Sequence, residues 1–160
     1  MLLSLVNRGR DYFVDTIVTL SPENIAEIDR QYHKSYRRSC LTLLRETDTE
    51  KLQYLLNNGC RLLNDRQTGN SLLHRFVSIP FQQILLQHGA NIHHTNEMGQ
   101  TPLHLAVKNG NLDYALFLLD NGADNKRDYR GRSVRDYLNW YNYLYSRKEM
   151  EEIITKIPEE

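Results

Sequence analysis

Residues 99–124, GQTPLHLAVKNGNLDYALFLLDNGAD, spell two short helices and the turns that join them. Thr101 is placed to cap a helix and Pro102 to take its first position, where a missing N–H goes unused. Leu103, Ala106 and Val107 follow as one apolar stripe at helical spacing. Lys108-Asn109-Gly110-Asn111 breaks that helix. A second helix is expected to carry Leu112, Ala115, Leu116 and Leu119 inward. Gly122 ends it, because glycine takes the left-handed cap without strain. Residues 125–131 are polar and turn-rich and return the chain to another unit.

The pattern recurs along the chain. LLNNG (55–59), LLQHG (85–89) and LLDNG (118–122) place their glycines 30 and 33 residues apart. Gly69, Gly99 and Gly131 are spaced 30 and 32, and behind them stand NSLLH (70–74), QTPLH (100–104) and RSVRD (132–136). Two independent marks with one period identify a tandem repeat. Residues 99–124 resemble the ankyrin repeat almost throughout. The resemblance implies an all-α solenoid of antiparallel helix pairs, each followed by a projecting β-turn finger.

The neighbouring units match less closely. Ser71-Leu72-Leu73-His74 stands for the Thr-Pro-Leu-His segment, and nine residues separate Val77 from Leu86 against twelve from Val107 to Leu119. Clipped helices are expected there, with Pro80 in the shortened connection. Leu44 to Leu56 is again twelve, so residues 39–59 are expected as a full helix pair, its second helix opened by a capping box at Thr47-Asp48-Thr49-Glu50.

Both ends read as caps. Val134, Tyr137, Leu138, Tyr141 and Leu144 are expected on one helix face. Ser146-Arg147-Lys148-Glu149 is a second capping box, and Met150, Ile153, Ile154 and Ile157 follow before Pro158. At the other end Ser21-Pro22 starts a helix with Leu20 and Ile25 as its staple, burying Ile25, Ile28, Tyr32 and Tyr36. Residues 12–20 fit a short helix or a strand. The expected layout is an N-terminal helical cap (1–38), repeats at about 39–65, 66–95 and 96–127 with a last finger to 132, and a C-terminal helical cap (133–160).

The chain has 160 residues, 20 basic and 20 acidic, with 40% apolar and 25% charged residues. This size buries about 68–70% of the unfolded surface, enough to fold without disulfides. Zero net charge argues against a general nucleic-acid binder but leaves room for a local patch. Mean hydropathy is −0.61, and no apolar run is long enough to span a membrane. The opening MLLSLVNRGR lacks the layout of a secretion signal. Cys40 and Cys60 sit at no metal-like spacing and read as reduced, buried thiols of a cytosolic protein.

Little in the sequence speaks for catalysis. The chain has no Gly-rich phosphate loop, G-x-S-x-G, H-E-x-x-H or C-x-x-C, and no cofactor or metal is expected. Glu149, Glu151 and Glu152 read as a solvated helix face. By resemblance, His74 and His104 hydrogen-bond within and between turns. His88 sits at a helix C-terminus, and His93-His94 is a poor chelating pair, because neighbours on extended chain point opposite ways. Two basic clusters stand out. Lys126, Arg127, Arg130, Arg132 and Arg135 read either as contact residues or as a charged turn neutralised by Asp124, Asp128 and Asp136. Arg30, Lys34, Arg37 and Arg38 read as a solvated helix face. Of the aromatic residues near the C-terminus, Tyr137 and Tyr141 are assigned to the core. Trp140 and Tyr143 fit core or contact surface.

The resulting expectation is a non-enzymatic module that binds a partner protein through its fingers and inner helix face. By resemblance, the contact residues are Glu97, Met98, Gln100, Lys108 and Asn109 in the well-matched unit, and Gln67, Thr68 and Asn70 in the clipped one. Lys126, Arg127, Tyr129, Arg130 and Arg132 join them from the last finger and suggest an acidic partner surface. Other readings are electrostatic binding to anionic lipid or nucleic acid, an enzyme or regulator whose special part is the N-terminal 46 residues, and a structural subunit that homo-oligomerises through its caps. Ankyrin-like arrays occur in eukaryotes, viruses and host-invading bacteria. A short, degenerate array suits a host-directed effector working in the host-cell cytoplasm.

Overall fold

Helix starts follow the capping signals of the sequence. The computed structural model describes residues 2–37, 39–75 and 78–158; Arg38 and Val77, singled out above, lie outside them. Among the described residues there is no strand. The helices are α1 Leu2–Val6, α2 Arg10–Ile17, α3 Pro22–Tyr36, α4 Thr49–Asn57, α5 Ile79–Gln87, α6 Pro102–Lys108, α7 Leu112–Asp120, α8 Val134–Trp140 and α9 Arg147–Lys156. Short 3-10 turns span Cys40–Leu43, Leu72–His74 and Asn142–Leu144.

One device opens four of these elements. At Ser71/His74, Thr101/His104, Ser133/Asp136 and Ser146/Glu149, the first side chain and the third residue after it cap each other's backbone. The Thr101 N–H donates to His104 Nδ1 at 3.1 Å, and the Ser146 N–H to Glu149 Oε2 at 2.6 Å. Each box satisfies N–H groups that a helix start leaves orphaned.

The pairs then stack. α6 packs on α7 and α8, α7 on α9, and α4 on α5. Residues 134–156 therefore continue both rows of the array, with α8 behind α6 and α9 behind α7. Among the described residues the apolar core falls into two clusters. One gathers α1 to α5 with Phe13, Ile25, Leu41, Leu52, Leu73 and Phe81; the other gathers α6 to α9 with Leu103, Ala115, Leu118, Val134 and Ile153. Ile92 packs against both. Between them, Tyr114 buries its ring and its hydroxyl donates to the Leu73 carbonyl.

Several expectations need correction. The unit at 39–59 has a 3-10 turn, Cys40–Leu43, in place of a first helix. The box at residues 47–50 does not form: Asp48 occupies the cap position, and its Oδ2 instead accepts the Arg45 N–H at 2.9 Å. In the clipped unit the first helix shrinks to Leu72–His74. Pro80 lies inside the first turn of α5 rather than before it, where no N–H is needed. α7 turns Tyr114, Ala115, Leu118 and Leu119 to the core and leaves Leu112 and Leu116 half-buried, because the Tyr114 bond fixes its rotation. The first helix of the C-terminal cap, α8, stops at Trp140, so Leu144 is 41% exposed and lies over Gly110. Residues 12–17 resolve as helix, in α2, and residues 18–20 form the turn that follows. α3 buries Ile25, Ile28 and Tyr32 as expected, with Tyr36 half-buried, and buries Asp29 with them.

Cys40 and Cys60 are free and buried. Their sulfurs are 3.5 Å apart, and Cys40 Sγ is 3.2 Å from Asp29 Oδ1. The Cys60 sulfur, burial and Asp29 together push the Cys40 thiol well above its ordinary range.

Candidate functional site

Three loops project from the stack, and each is bent by the side chain of its first residue. Asp65 Oδ1 accepts the Gln67 and Thr68 N–H groups, Asn96 Oδ1 those of Met98 and Gln100, and Asp128 Oδ1 those of Arg130 and Arg132. Backbone pairs close each loop: Asp65 N–H to the Asn70 carbonyl, Asn96 to Gln100, and Asp128 to Arg132. Asp65, Asn96 and Asp128 recur at 31 and 32 residues. Sequence reasoning took the glycines of this period and missed the residues that shape the turns, although Asp and Asn at turn starts carry that signal.

The loops are joined to one another. The Glu97 N–H donates to the Thr68 carbonyl at 3.0 Å, and the Tyr129 N–H to the Met98 carbonyl at 3.1 Å. This closeness needs glycine. Gly99 has φ +76°, and a Cβ there would sit 2.5 Å from the Tyr129 nitrogen. The fingers thus form one continuous edge.

On this edge Gln67, Thr68, Glu97, Met98, Tyr129 and Arg130 are exposed, with Met98 at 45% and Tyr129 at 75%. Asn70 is half-buried and spans fingers, its Oδ1 accepting from Asn96 Nδ2 at 3.0 Å. Lys108 is half-buried and Asn109 exposed at the end of α6.

Two expected contact residues are turned inward. Gln100 is buried, and its Nε2 donates to the Tyr137 hydroxyl at 2.6 Å. Its amide serves the next unit and is not offered to a partner. Arg132 keeps only 16% of its side chain exposed against a fully buried Asp128 carboxylate. Its Nε donates to Asp128 Oδ2 at 2.7 Å, and its guanidinium lies over the Tyr137 and Trp140 rings. The Tyr137 hydroxyl donates to the same oxygen at 2.9 Å. Burial opposes the Asp128 charge, yet Arg132, the backbone N–H groups and Tyr137 hold its carboxyl well below the usual carboxylate range. Arg132 is thus the clasp of the last finger.

The other cations divide. Arg135 Nη2 donates to the Ile157 carbonyl at 3.2 Å and ties α8 to the end of α9. Arg127 Nη1 donates to the Gly131 carbonyl, and Lys126 reaches the His93 carbonyl at 3.4 Å, both from exposed positions. Arg130 is exposed, and only its backbone N–H is engaged among the described residues. In the second cluster Arg30 pairs with Glu27, while Lys34 and Arg37 are exposed. Trp140 and Tyr143 are 59% and 74% exposed, which assigns them to the surface.

The histidines act in the frame. His104 Nε2 contacts the Arg132 carbonyl at 3.3 Å, and His74 Nε2 the Gln100 carbonyl at 2.9 Å. Burial lowers both imidazoles, that of His74 to about 4. His94 Nε2 contacts the Gly69 carbonyl, His93 Nδ1 faces Asp124 at 3.3 Å, and His88 meets Gln53 at 2.9 Å. His93 and His94 point to different partners.

The repeat has relatives among known proteins. A family model described as ankyrin repeats (3 copies) matches residues 40–128. Human protein phosphatase 1 regulatory subunit 27 is 32% identical over 85 residues, which cover 51% of this chain and 55% of that protein. A putative ankyrin repeat protein of fowlpox virus, FPV031, is 35% identical over 136 residues, covering 79% of this chain and 38% of its own length. The rice potassium channel AKT1 is 33% identical over 81 residues, 49% of this chain and 9% of the channel. The chain spans about half the length of the phosphatase subunit and less of the others. No helix among the described residues is long and apolar enough to cross a membrane. Helix pairs, fingers and the family match over more than half of its length agree: this chain belongs to the ankyrin repeat family, whose repeats are protein–protein interaction modules.

Proposed function

We propose that the finger edge binds a partner protein with an acidic surface and that the chain acts by binding rather than by catalysis. The observation that carries this reading is the exposure of Met98 and Tyr129 on adjacent, hydrogen-bonded fingers. A flexible thioether and a Tyr ring beside Arg130 are the side chains that supply anchors at interfaces. Gln67, Thr68, Asn70, Glu97, Lys108 and Asn109 extend the contact surface. Lys126 and Arg127 add positive charge at its end, which speeds association with an acidic partner. The name of the human relative, a phosphatase regulatory subunit, is in keeping with action on another protein. A host-directed role in the cytoplasm of a host cell extends this reading, and a relative from a virus is in keeping with the first part of it.

Affinity capture from a cell lysate, followed by kinetics on the captured protein, tests the reading. Met98→Ala with Tyr129→Ala should abolish capture. Arg130→Glu should slow association at low salt, with the difference narrowing as salt screens charges beyond about 8 Å. Capture unchanged by all three substitutions would refute the finger edge and move the contact to the exposed Trp140 and Tyr143. A salt-steep affinity for anionic vesicles or nucleic acid with no protein captured would refute the partner class.

A further inference from the structure

We propose that Asp29, Cys40 and Cys60 form a buried site for a zinc-class divalent metal, independent of the finger edge. Three separate pieces of chain deliver the ligands. α3 brings Asp29, the 3-10 turn Cys40–Leu43 brings Cys40, and the turn after α4 brings Cys60. One ligand atom from each lies within 4.8 Å of the others. The sulfurs are 3.5 Å apart, and Cys40 Sγ is 3.2 Å from Asp29 Oδ1. Tetrahedral zinc, with bonds of about 2.3 Å to sulfur and about 2.0 Å to oxygen, sets sulfur–sulfur edges of about 3.8 Å and sulfur–oxygen edges of about 3.5 Å. Shifts of about 0.3 Å bring these two edges to ligating geometry.

The carboxylate is oriented for this role. Its Oδ2 accepts the Arg61 backbone N–H at 3.2 Å and Arg61 Nε at 3.4 Å. That leaves Oδ1 facing the sulfur, the outer support typical of a ligating carboxylate. All three residues are buried, at 0%, 2% and 6% exposure. Two thiols and a carboxylate are the donor set that selects zinc over magnesium or calcium. The charges balance on binding. Each thiol loses one proton, so one metal ion releases two; the dication with two thiolates and one carboxylate carries one negative charge, which the Arg61 guanidinium neutralises. A water completes the tetrahedron. The ligands are 11 and 20 residues apart and come from unlike elements, so no short motif announces them. Occupied, the site clamps α3, which lies before the family match, to the first repeat.

The test titrates cobalt(II) and then zinc(II) into the full, reduced chain. The expected result is one cobalt per chain with thiolate-to-metal charge-transfer absorption, bleached by one equivalent of zinc, and two protons released per ion. Cys40→Ser and Cys60→Ser should each remove about half of that absorption, and Asp29→Asn should weaken zinc binding about tenfold or more. A cobalt complex without charge-transfer bands overturns the proposal. So does undiminished zinc binding by the Cys40→Ser/Cys60→Ser chain, which would put the ion on surface histidines. An unreduced chain two hydrogens lighter, with no reactive thiol after unfolding, overturns it in favour of a disulfide. The cobalt spectrum and the proton count come from the unaltered chain, so a variant that fails to fold leaves both readings intact.

Discussion

Arg130 and Arg132 stand two residues apart on one finger, and reversing each to Glu should give opposite results. At position 132 the substitution removes two charge-assisted contacts to Asp128 and the stacking on Tyr137 and Trp140. It also sets a new carboxylate against a fully buried one. Hydrogen bonds to charged groups are worth about 1.5–3 kcal/mol each and the cation–π contacts about 0.5–1 kcal/mol each. These terms overlap, and Asp128 keeps its backbone donors and Tyr137, so a net loss of about 3 kcal/mol is expected. For a chain of this length that lowers the melting midpoint by roughly 6–12 °C. Arg130→Glu, at a solvated tip, should change stability by less than about 0.5 kcal/mol. Arg132→Lys keeps the charge but loses the planar fork and should fall between the two. Thermal melts followed by far-UV circular dichroism read all three. An Arg132→Glu chain that melts with the parent, or an Arg130→Glu chain that melts as low as Arg132→Glu, would refute the assignment of Arg132 as the clasp.

Leu103→Ala empties a fully buried position in the second cluster and should cost about 2–5 kcal/mol by urea unfolding; a loss under about 0.5 kcal/mol would show the wrong helix face. His74 is held neutral, so the unfolded chain binds more protons between pH 6.5 and about 4; stability is full above 6.5 and falls by up to about 3 kcal/mol as pH drops through that window. His74→Gln should flatten that slope, with the remainder from His104, which shifts in the same direction. Ending the chain after Ser146 removes α9 and uncovers the outer face of α7, and light scattering should then show aggregation.

The fold was legible wherever local chemistry marked it. Thr101-Pro102 and Ser146 each start a helix as read, because a cap and its partner lie within four residues. The unit at 39–59 was misread because Leu44-to-Leu56 spacing reports the length of the chain between two leucines, not whether the first stretch is helical. Gln100 and Arg132 were misplaced for a related reason. A finger residue's number along the turn does not say whether its side chain points out or back to the next repeat, and the inward choice depends on Tyr137, more than thirty residues from Gln100. Asp29 was invisible as a buried group, since its partners Cys40, Cys60 and Arg61 arrive from later in the chain.

The split of the apolar core at the second repeat bears on how this chain comes apart. An unbroken solenoid passes strain from unit to unit through shared side chains. Here, among the described residues, the two halves share Ile92 and a line of polar stitches, among them Tyr114 to Leu73, His74 to Gln100 and Glu97 to Thr68. Each stitch contributes about 1 kcal/mol, while each half keeps its own interior. Such a join works as a perforation. Force or heat is expected to open it first, while both blocks stay folded. A protease or chaperone scanning the chain would then meet the middle of the array before either end.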